Sequence, residues 1–418
     1  MNRRHDIDAL RALAFAVLIL YHLCMFYVAD WGWHVKSVHL ATWLQFPMLF
    51  VNRWRMDLIF MISGMAAAFL LKTDQVWKFV RQRNWRLMLP LLFGMAVVVP
   101  IQPYAQGVTN GLVKPGFVQF LIDYYHHMPW PAHAFDGWEH GVTWNHLWYL
   151  FYLWVYTLAL ALLAKPLAST LGEKLTALFT NLRGWKLLTL PALPFLLYTV
   201  TLQERFPDNG DFFHDWYRNP VYFTIFLYGY LVARDAGFWA EALRLRKISL
   251  IAALTIFVPY IVLGRLLSDD APHWQVIAIW AMRVGYIWTM LMAILGWAHA
   301  LLNKPFRWLP WATESVYPWY MLHQSLIVGI AFALMPYHLG PVTEPLLILI
   351  GTIAGCFVIG EIVKRIDVLR PCFGLKARPR QESSEGSIGN ATTDKGTHAF
   401  ASDYAACIAR REPPQDIA

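Results

Sequence analysis

The sequence predicts an all-α integral membrane protein, a polytopic bundle of about ten transmembrane helices with both termini in the cytoplasm. Three observations lead to this fold class. The 418 residues are 57% hydrophobic and only 15% charged, whereas a soluble chain of this length exposes far more charge. The apolar residues form runs of about 20, the length that a helix needs to cross the hydrocarbon layer. Lysine and arginine concentrate in every second loop, as the positive-inside rule requires.

The apolar runs predict the helices one by one. Each run is predicted as one span because it is long, mostly uncharged and bounded by polar or charged residues. The fifth run and the ends of the eighth are the least sharply defined. The predicted spans are residues 9–29, 56–72, 87–104, 146–164, 186–202, 219–235, 248–267, 274–301, 315–335 and 343–363.

Basic residues mark the loops that follow the second, fourth, sixth and eighth predicted spans. The other loops are poorer in lysine and arginine, and two of them, residues 206–215 and 268–273, are acidic. Because cytoplasmic loops carry the excess of basic residues, this alternation places both termini in the cytoplasm and loops 30–55 and 105–145 on the outer side. The basic loop residues are Lys72, Lys78, Arg81, Arg83, Arg86, Lys165, Lys174, Arg183, Lys186, Arg234, Arg244, Arg246, Lys247, Lys304 and Arg307.

The composition changes past residue 370. Residues 1–370 are predicted as one membrane domain, whereas residues 371–418 are polar and lack apolar periodicity, which predicts a disordered cytoplasmic tail. The four cysteines show no paired or CxxC spacing, so neither a disulfide framework nor a zinc knuckle is indicated. The chain shows no internal repeat, although a transporter built from two related halves often does.

The first predicted span, DIDALRALAFAVLILYHL, carries an arginine near its start and a histidine near its end. Arg11 and His22 are eleven residues apart, so on a helix they share one face, roughly 16 Å apart along the axis. Asp8 lies on the same stripe, within reach of Arg11. Taken singly, Arg11 could snorkel to headgroups and His22 could bond a neighbouring helix. Together they favour an anion anchor at the cytoplasmic boundary and a titratable base further in, both facing one shared passage.

The segment ALRALAFAVLILYH resembles the signature of membrane acyltransferase family 3, in which ten residues separate an arginine from a histidine. That family consists of multi-span enzymes that O-acylate carbohydrates. The chain most resembles its glucan biosynthesis protein C branch, which succinylates periplasmic glucans. The resemblance covers about residues 5–365 and implies that residues 1–370 form a membrane acyltransferase domain. Further segments resemble the family's motifs in the same order: WGWHVKS, RMDLIFMISGMAAAFLL, RQRNWRLMLPLLFGMAVVVP, NHLWYLFYLWVY and ESVYPWYMLHQSLIV.

Arg83 and Arg86 lie one helical turn apart at the cytoplasmic mouth of the third span, where two guanidinium groups could hold phosphates or a carboxylate. Cytoplasmic loops are basic in any case, but these two residues stand in the family's Arg-x-x-Arg position, which favours donor binding. The resemblance implies acyl coenzyme A as the donor, either succinyl-CoA or acetyl-CoA. Ser63 lies where small residues let a helix or a ligand approach closely. Packing is its default role, and a place in the donor site is the alternative.

Asp57 begins the second span at the outer boundary. Its carboxylate there could approach His22, orient the imidazole and stabilise its charged form. It could equally pair with Arg53 or Arg55, and the sequence favours neither role. With Arg11, it completes the set of predicted catalytic residues around His22.

The ninth predicted span carries two ionisable residues on one face. His323 follows Glu314 by nine residues, roughly 13 Å along a helix. Tyr317, Tyr320 and Gln324 add polar atoms to the same segment, which favours a cavity-lining, substrate-binding role over simple interhelix hydrogen bonding.

His146 and Trp148 open the fourth span at its outer face. Aromatic residues are common at membrane interfaces whatever the function. The preceding outer loop is rich in Trp, His and Pro, and we expect it to form a polar and aromatic surface on which a sugar rests. The four histidines of that loop have spacings that fit no compact metal site, so no metal is expected.

The resemblance and the residues together predict an O-acyltransferase of the bacterial inner membrane. It would move a succinyl or acetyl group from cytoplasmic acyl coenzyme A to hydroxyls of a periplasmic or exported glycan, with neutral His22 as general base. One alternative is an O-acetyltransferase of lipopolysaccharide, capsule or another surface glycan. An alternative of another class is a transporter or exporter, since buried ionisable stripes serve both. The expected partners are the glycan, acyl coenzyme A, membrane lipids and a separate periplasmic protein, and no nucleic acid.

Overall fold

The computed structural model describes residues 4–206, 211–268 and 270–378. In these residues the chain forms helices and no β-strand, apart from one isolated bridge between Val28 and Ala41. The prediction of an all-α fold is confirmed. Residues 379–418, most of the predicted tail, lie outside the described residues. The unit that begins with α1 continues through Ala377, a few residues past the boundary expected from composition.

The described part of the chain contains fifteen α-helices, and most connections between them are short. The third helix continues as a π-helix, Gly94–Val98, and short 3-10 turns precede or follow several others. The helices are α1 (His5–Met25), α2 (Gln45–Leu70), α3 (Val76–Phe93), α4 (Ile101–Thr109), α5 (Phe117–Tyr125), α6 (Trp148–Leu167), α7 (Thr170–Thr180), α8 (Trp185–Thr189), α9 (Leu193–Leu202), α10 (Arg218–Val232), α11 (Ala236–Leu266), α12 (His273–Leu302), α13 (Leu309–Leu334), α14 (Thr343–Arg365) and α15 (Leu369–Cys372).

Seven helical segments of the described residues are long and apolar enough to cross a membrane, or eight if one bent pair counts as a span. Each of the ten predicted spans overlaps helix, but span 87–104 crosses from α3 through the π-helix into α4, and α2 and α11 begin well before the spans predicted for them. Three of the spans fall short by length or composition. α10 has only 15 residues. α2 and α3 qualify only as a pair bent by 85°, because charged side chains interrupt their apolar sequence. The seven segments are His5–Met25, Asn145–Leu167, Trp185–Leu202, Ala236–Leu266, His273–Leu302, Leu309–Tyr337 and Thr343–Arg365.

The start of α1 is anchored by a buried carboxylate. Asp6 is 1% exposed and accepts hydrogen bonds from Arg4 (2.9 and 2.7 Å) and from Nδ1 of His299 on α12 (2.7 Å). The Arg4 guanidinium also lies 4.0 Å from the ring of Trp239 on α11. Because a buried charge is tolerated only when it is paired, this cluster holds the first helix against α11 and α12. We call this end of the bundle the basic end and the opposite end the outer end.

α2 and α10 approach so closely that two glycines are required where they meet. A Cβ atom on Gly64 would lie 1.8 Å from the carbonyl oxygen of Phe226, and one on Gly229 would lie 2.0 Å from that of Met61. Small residues permit such backbone contact between membrane helices. The contact gives Gly64 a packing role, and it fixes the positions along the bundle axis of Ser63 and Asp57 on the same helix.

Replacing Gly64 with alanine should destabilise the bundle. The added methyl group has no space against the α10 backbone, so G64A should lower the free energy of unfolding by about 1–3 kcal/mol, the usual cost of overpacking. Thermal unfolding of the purified protein in detergent measures the effect. Gly32→Ala is the matched control, because no heavy atom lies within 4 Å of a Cβ built there. Equal melting temperatures for the two variants would contradict the packing argument.

Candidate active site

Two histidines from distant parts of the chain meet in the outer half of the bundle. Nδ1 of His22 on α1 lies 2.8 Å from Nε2 of His323 on α13. Their rings stack with centroids 5.0 Å apart and an interplanar angle of 13°. The sequence predicts both as functional residues, but it does not predict the contact between them. It makes α1 and α13 the two walls of one site.

The hydrogen bonds of this pair determine which ring nitrogens carry protons. Nδ1 of His323 faces the carbonyl oxygens of Tyr320 (2.7 Å) and Trp319 (3.2 Å). Carbonyls only accept, so His323 donates from Nδ1 and its neutral ring can only accept at Nε2. His22 must then donate from Nδ1, which leaves Nε2 of neutral His22 with a free lone pair. The geometry therefore prepares one nitrogen, His22 Nε2, to take a proton.

His146 lies against the same pair. Its ring is perpendicular to that of His323, with centroids 5.4 Å apart. Its Nε2 donates to the carbonyl of Met321 (3.0 Å), and its Nδ1 accepts from Gln102 (3.1 Å). The third histidine is thus held as a neutral tautomer, so it packs beside the pair without adding a charge.

The loop after α1 folds back over this site. Lys36 donates to the carbonyls of Met25 (2.8 Å) and Val28, which satisfies acceptors left free at the end of the helix. The turn places the ring of Trp33 on His22, with centroids 5.5 Å apart and an interplanar angle of 27°. The site therefore has an aromatic lid on its outer side.

A series of hydrogen-bonded polar side chains continues from Trp33 toward the outer end. Gln324 donates to Nε2 of His34 (3.0 Å), and Nδ1 of His34 lies 2.9 Å from Oε1 of Gln106 and 3.0 Å from a carboxylate oxygen of Asp136. Packing of the loop around Asp136 raises its pKa, but hydrogen bonds from His34 and Gln106 outweigh that effect and hold the pKa below its ordinary value. An ionised carboxylate therefore faces His34 at the mouth of the site.

Several members of this outer chain were missed from the sequence. His34 lies within WGWHVKS, a motif of the family resemblance, so that motif could have pointed to it. Gln102 and Gln106 are four residues apart at the end of an apolar run. On a helix this spacing places both on one face, so it could have indicated that they act together. Asp136 carries no such signal, because it lies in a loop that comes close to His34 only in the folded chain.

The predicted donor-site residues gather at the basic end. Arg11 lies 3.9 Å from Asp8 in the expected ion pair. Arg11 and Arg83 both interact electrostatically with the hydroxyl of Tyr149, which is hydrogen-bonded to Ser63. Among the described residues Nε of Arg83 is buried without a hydrogen-bond partner. A buried guanidinium donor without a partner is costly, so this position is suited to an anionic ligand.

Arg86 is held in place by hydrogen bonds to two other parts of the chain. It donates to the carbonyl of Gly374 (3.2 Å), and its own carbonyl accepts from Tyr317 (2.8 Å). Phe373 and Leu375, on either side of Gly374, are buried. The chain past α15 therefore packs against the third helix and helps to hold Arg86 beside Arg83.

Tyrosine rings occupy the space between the arginines and the histidines. Tyr320 packs against His323 (6.1 Å between centroids), Tyr149 (6.0 Å) and Tyr317 (6.4 Å), and its hydroxyl donates to the carbonyl of His146 (2.8 Å). Arg11 interacts electrostatically with Tyr149, and His22 bonds to His323, which packs on Tyr320, so the tyrosine rings lie between the two predicted residues. Aromatic side chains, however, fill the region where an open passage had been expected.

Two of the predicted residues, Asp57 and Trp148, lie away from the histidines. Asp57 does not reach His22, and its carboxylate interacts electrostatically with Arg218 and Arg283 instead. Trp148 lines the same separate cavity as Asp57. The rotation of α2 that packs it onto α10 turns Asp57 toward this cavity, so the expectation that Asp57 orients His22 is not met.

Glu314 also departs from the expected arrangement. Its carboxylate accepts from Arg370 (3.0 Å) at the basic end, about 13 Å along α13 from His323. The two share a helix but not a site, because the helix carries them to opposite halves of the bundle. Glu314 thus belongs to the packing of α15, and the glycan-binding role expected for it has no geometric support.

Comparisons with known proteins identify the family that the chain resembles. Residues 4–361 match the family model described as an acyltransferase domain. Glucans biosynthesis protein C of Escherichia coli O81 (strain ED1a) is 23% identical over 395 residues, which cover 92% of this chain and 97% of that protein. The proteins of the same name from Shigella dysenteriae serotype 1 (strain Sd197) and Escherichia coli (strain K12) are 23% and 22% identical over the same shares. No solved structure matches the chain.

The tautomer assignment can be tested directly. Nitrogen NMR of the protein with ¹⁵N-labelled histidine should show His22 protonated at Nδ1 and unprotonated at Nε2 above the pH at which its ring titrates, because His323 can only accept from it. Spectra of H22Q and H323Q assign the two signals. His39, which bonds the Leu339 carbonyl (2.7 Å) away from the pair, provides the control signal in both. A His22 ring protonated at Nε2 would contradict the assignment.

Proposed function

The chain belongs to the acyltransferase family whose domain matches residues 4–361, and on that premise we propose that it transfers an acyl group from cytoplasmic acyl coenzyme A to hydroxyls of an exported glycan. His22 is the general base of the reaction. One observation carries the proposal: Nδ1 of His323 donates to the carbonyls of Trp319 and Tyr320. His323 can then only accept from Nδ1 of His22, which leaves Nε2 of His22 as the nitrogen able to accept a proton.

His22 acts on the acceptor. Nε2 takes the proton of a glycan hydroxyl while that oxygen attacks the acyl carbonyl, and the proton passes to the departing thiol sulfur as the carbon–sulfur bond breaks. His323 is a positioning residue. Its Nε2 keeps hold of the Nδ1 proton of His22 throughout, so the imidazole neither rotates nor changes tautomer between cycles.

The basic end holds the donor. Arg83, Arg86 and Arg11 offer guanidinium forks for phosphates, and the unpartnered Nε of Arg83 fits such a ligand. Acyl coenzyme A supplies the activated thioester there. Ser63 and Tyr149 stand between these arginines and the histidines, where their hydroxyls can contact the entering arm. The rings of Tyr149 and Tyr320 must move aside for that arm to reach His22.

The outer chain of polar residues receives the glycan. Trp33 offers a flat apolar face beside His22, and His34 with Asp136 offers hydrogen-bonding groups at the mouth. His146, whose ring packs against that of His323, lines the inner part of the same glycan site. The relatives are named for glucan biosynthesis, which favours a glucan as acceptor over lipopolysaccharide or capsule. The bacterial relatives also favour the inner membrane, where a cytoplasmic donor and a periplasmic acceptor are both within reach.

A transporter is the rival proposal, and the family membership weighs against it. Incubation of the purified protein in lipid with labelled succinyl-CoA or acetyl-CoA, with and without glucan, separates the two. Label on the glucan supports the enzyme. Movement of substrate across the bilayer without acylation supports the transporter.

Replacing His22 should abolish transfer without unfolding the protein. H22Q retains a polar side chain but no base, so the rate should fall by about 10²–10⁴-fold, the usual contribution of general base catalysis. Radiolabel transferred from acyl coenzyme A to glucan measures it, with the melting temperature as a check on folding. His39→Gln is the matched control and should remain active. A folded H22Q of wild-type activity would refute the assignment.

Replacing Arg83 should weaken donor binding. Loss of a charge-assisted hydrogen bond costs about 1.5–3 kcal/mol, so R83Q should raise the KM for acyl coenzyme A roughly 10- to 100-fold, while the KM for glucan changes little. Arg81→Gln is the matched control, because Arg81 is exposed two residues away. Equal donor KM values for R83Q and R81Q would place the phosphates elsewhere.

A further inference from the structure

A second cavity lies beside the histidine site. It encloses about 290 Å³ and is lined by residues of α2, α10 and α12 and of the loop before α10. Four arginines and two aspartates face it, so its formal charge is positive. Aromatic side chains, among them Trp148, Tyr152 and Trp288, form the rest of the wall. The charged lining residues are Arg53, Arg55, Arg218, Arg283, Asp57 and Asp215.

Several donors in this cavity have no protein partner. Nε of Arg53, and Nε and Nη1 of Arg55, are buried and make no hydrogen bond to the described residues. Arg283 donates to Gln203 and to the hydroxyl of Tyr217 (3.0 Å). Buried donors are rarely left unsatisfied, and buried charges are costly without a counter-charge. The unused guanidinium hydrogens therefore point to a ligand with anionic oxygens.

One carboxylate in the wall shows the same lack of a partner. Asp57 is 5% exposed, and its Oδ1 makes no hydrogen bond to the described residues. It interacts electrostatically with Arg218 and Arg283, which also line the cavity. Its free oxygen can accept from a hydroxyl group on the same ligand.

The cavity shares a wall with the histidine site. The Arg55 guanidinium lies 3.6 Å from the ring of Tyr21, and Asn52 donates to the Tyr21 hydroxyl (2.5 Å). The ring of Tyr21 in turn packs edge-on to His22, with centroids 5.9 Å apart. Arg55 interacts electrostatically with both His22 and His323. A molecule at His22 could therefore place an anionic group against Arg55.

We propose that this cavity binds an oxyanion, a carboxylate or phosphate carried by one of the two reactants while its reacting atom is at His22. Guanidinium forks match the paired oxygens of both groups. The proposal rests on the proposed function for its link to His22. The anion has two sources, the terminal carboxylate of a dicarboxylic acyl group or an acidic substituent on the glycan. Arg53, Arg55 and Arg283 are the binding residues.

Binding of simple anions tests the cavity without any acyl transfer. Thermal unfolding of the purified protein in lipid nanodiscs is followed against succinate, inorganic phosphate and acetate at constant ionic strength. Succinate or phosphate should raise the melting temperature, with an apparent affinity at least tenfold weaker in R53Q and R283Q. Arg265→Gln, an exposed arginine bonded to Gln45 (3.0 Å) outside the cavity lining, should behave as wild type. Absence of stabilisation, or equal affinity in all variants, overturns the proposal.

Transfer kinetics then distinguish the two sources. If R53Q raises the KM for succinyl-CoA at least tenfold and leaves that for acetyl-CoA unchanged on a neutral glucan, the cavity holds the acyl carboxylate. If R53Q leaves both donors unchanged but raises the KM for an acidic glycan, the cavity holds the acceptor. Wild-type KM values in R53Q with every substrate overturn the link to His22. A wild-type protein that binds the anions but transfers no acyl group refutes the proposed function alone.

Discussion

The hydrogen bond between His22 and His323 is the interaction on which the site depends. Polar groups inside a membrane bundle need hydrogen-bond partners. Here the hydrogen bonds of His323 fix its tautomer, and that tautomer fixes the one that His22 adopts. Nδ1 of His323 donates to the carbonyls of Trp319 and Tyr320 on its own helix, so its Nε2 can only accept, and His22 donates to it from Nδ1. The tautomer of His22 is thus set by backbone carbonyls acting through His323 rather than by a carboxylate. An added negative charge at this depth in the membrane would be costly.

Positive charge lies on both sides of this neutral pair. Arg11, Arg83 and Arg86 stand at the basic end, and the arginines of the second cavity stand toward the outer end. Neither group is neutralised fully by the protein, since Nε of Arg83 and donors of Arg53 and Arg55 lack partners in the described residues. In the proposed reaction, the arginines of the basic end bind the donor and the arginines of the second cavity bind an anionic group of a reactant, so the reacting atoms meet at the histidine pair between them.

The second helix links these parts. Its close backbone contact with α10 at Gly64 fixes the rotation of α2 about its axis and its position along that axis. Ser63 consequently faces Tyr149 near the donor arginines, Asn52 faces Tyr21 beside His22, and Asp57 faces the second cavity. One packing contact between backbones therefore places residues in three parts of the site. This explains why the chain has a glycine at position 64, which itself packs against α10.

The sequence by itself determined the all-α class, the approximate positions of the long helices and the family, because apolar run length and motif spacing are local properties of the chain. It did not determine where α2 and α11 begin. It also identified His22, His323, His146, Arg11 and Arg83 as residues in unusual surroundings. Only the tertiary structure decided their partners. His22 and His323 are some three hundred positions apart, and Asp57 turned to the second cavity rather than to His22, since helix rotation depends on packing with other helices. His34 and Asp136 became neighbours for the same reason, through loops whose paths carry no periodic signal.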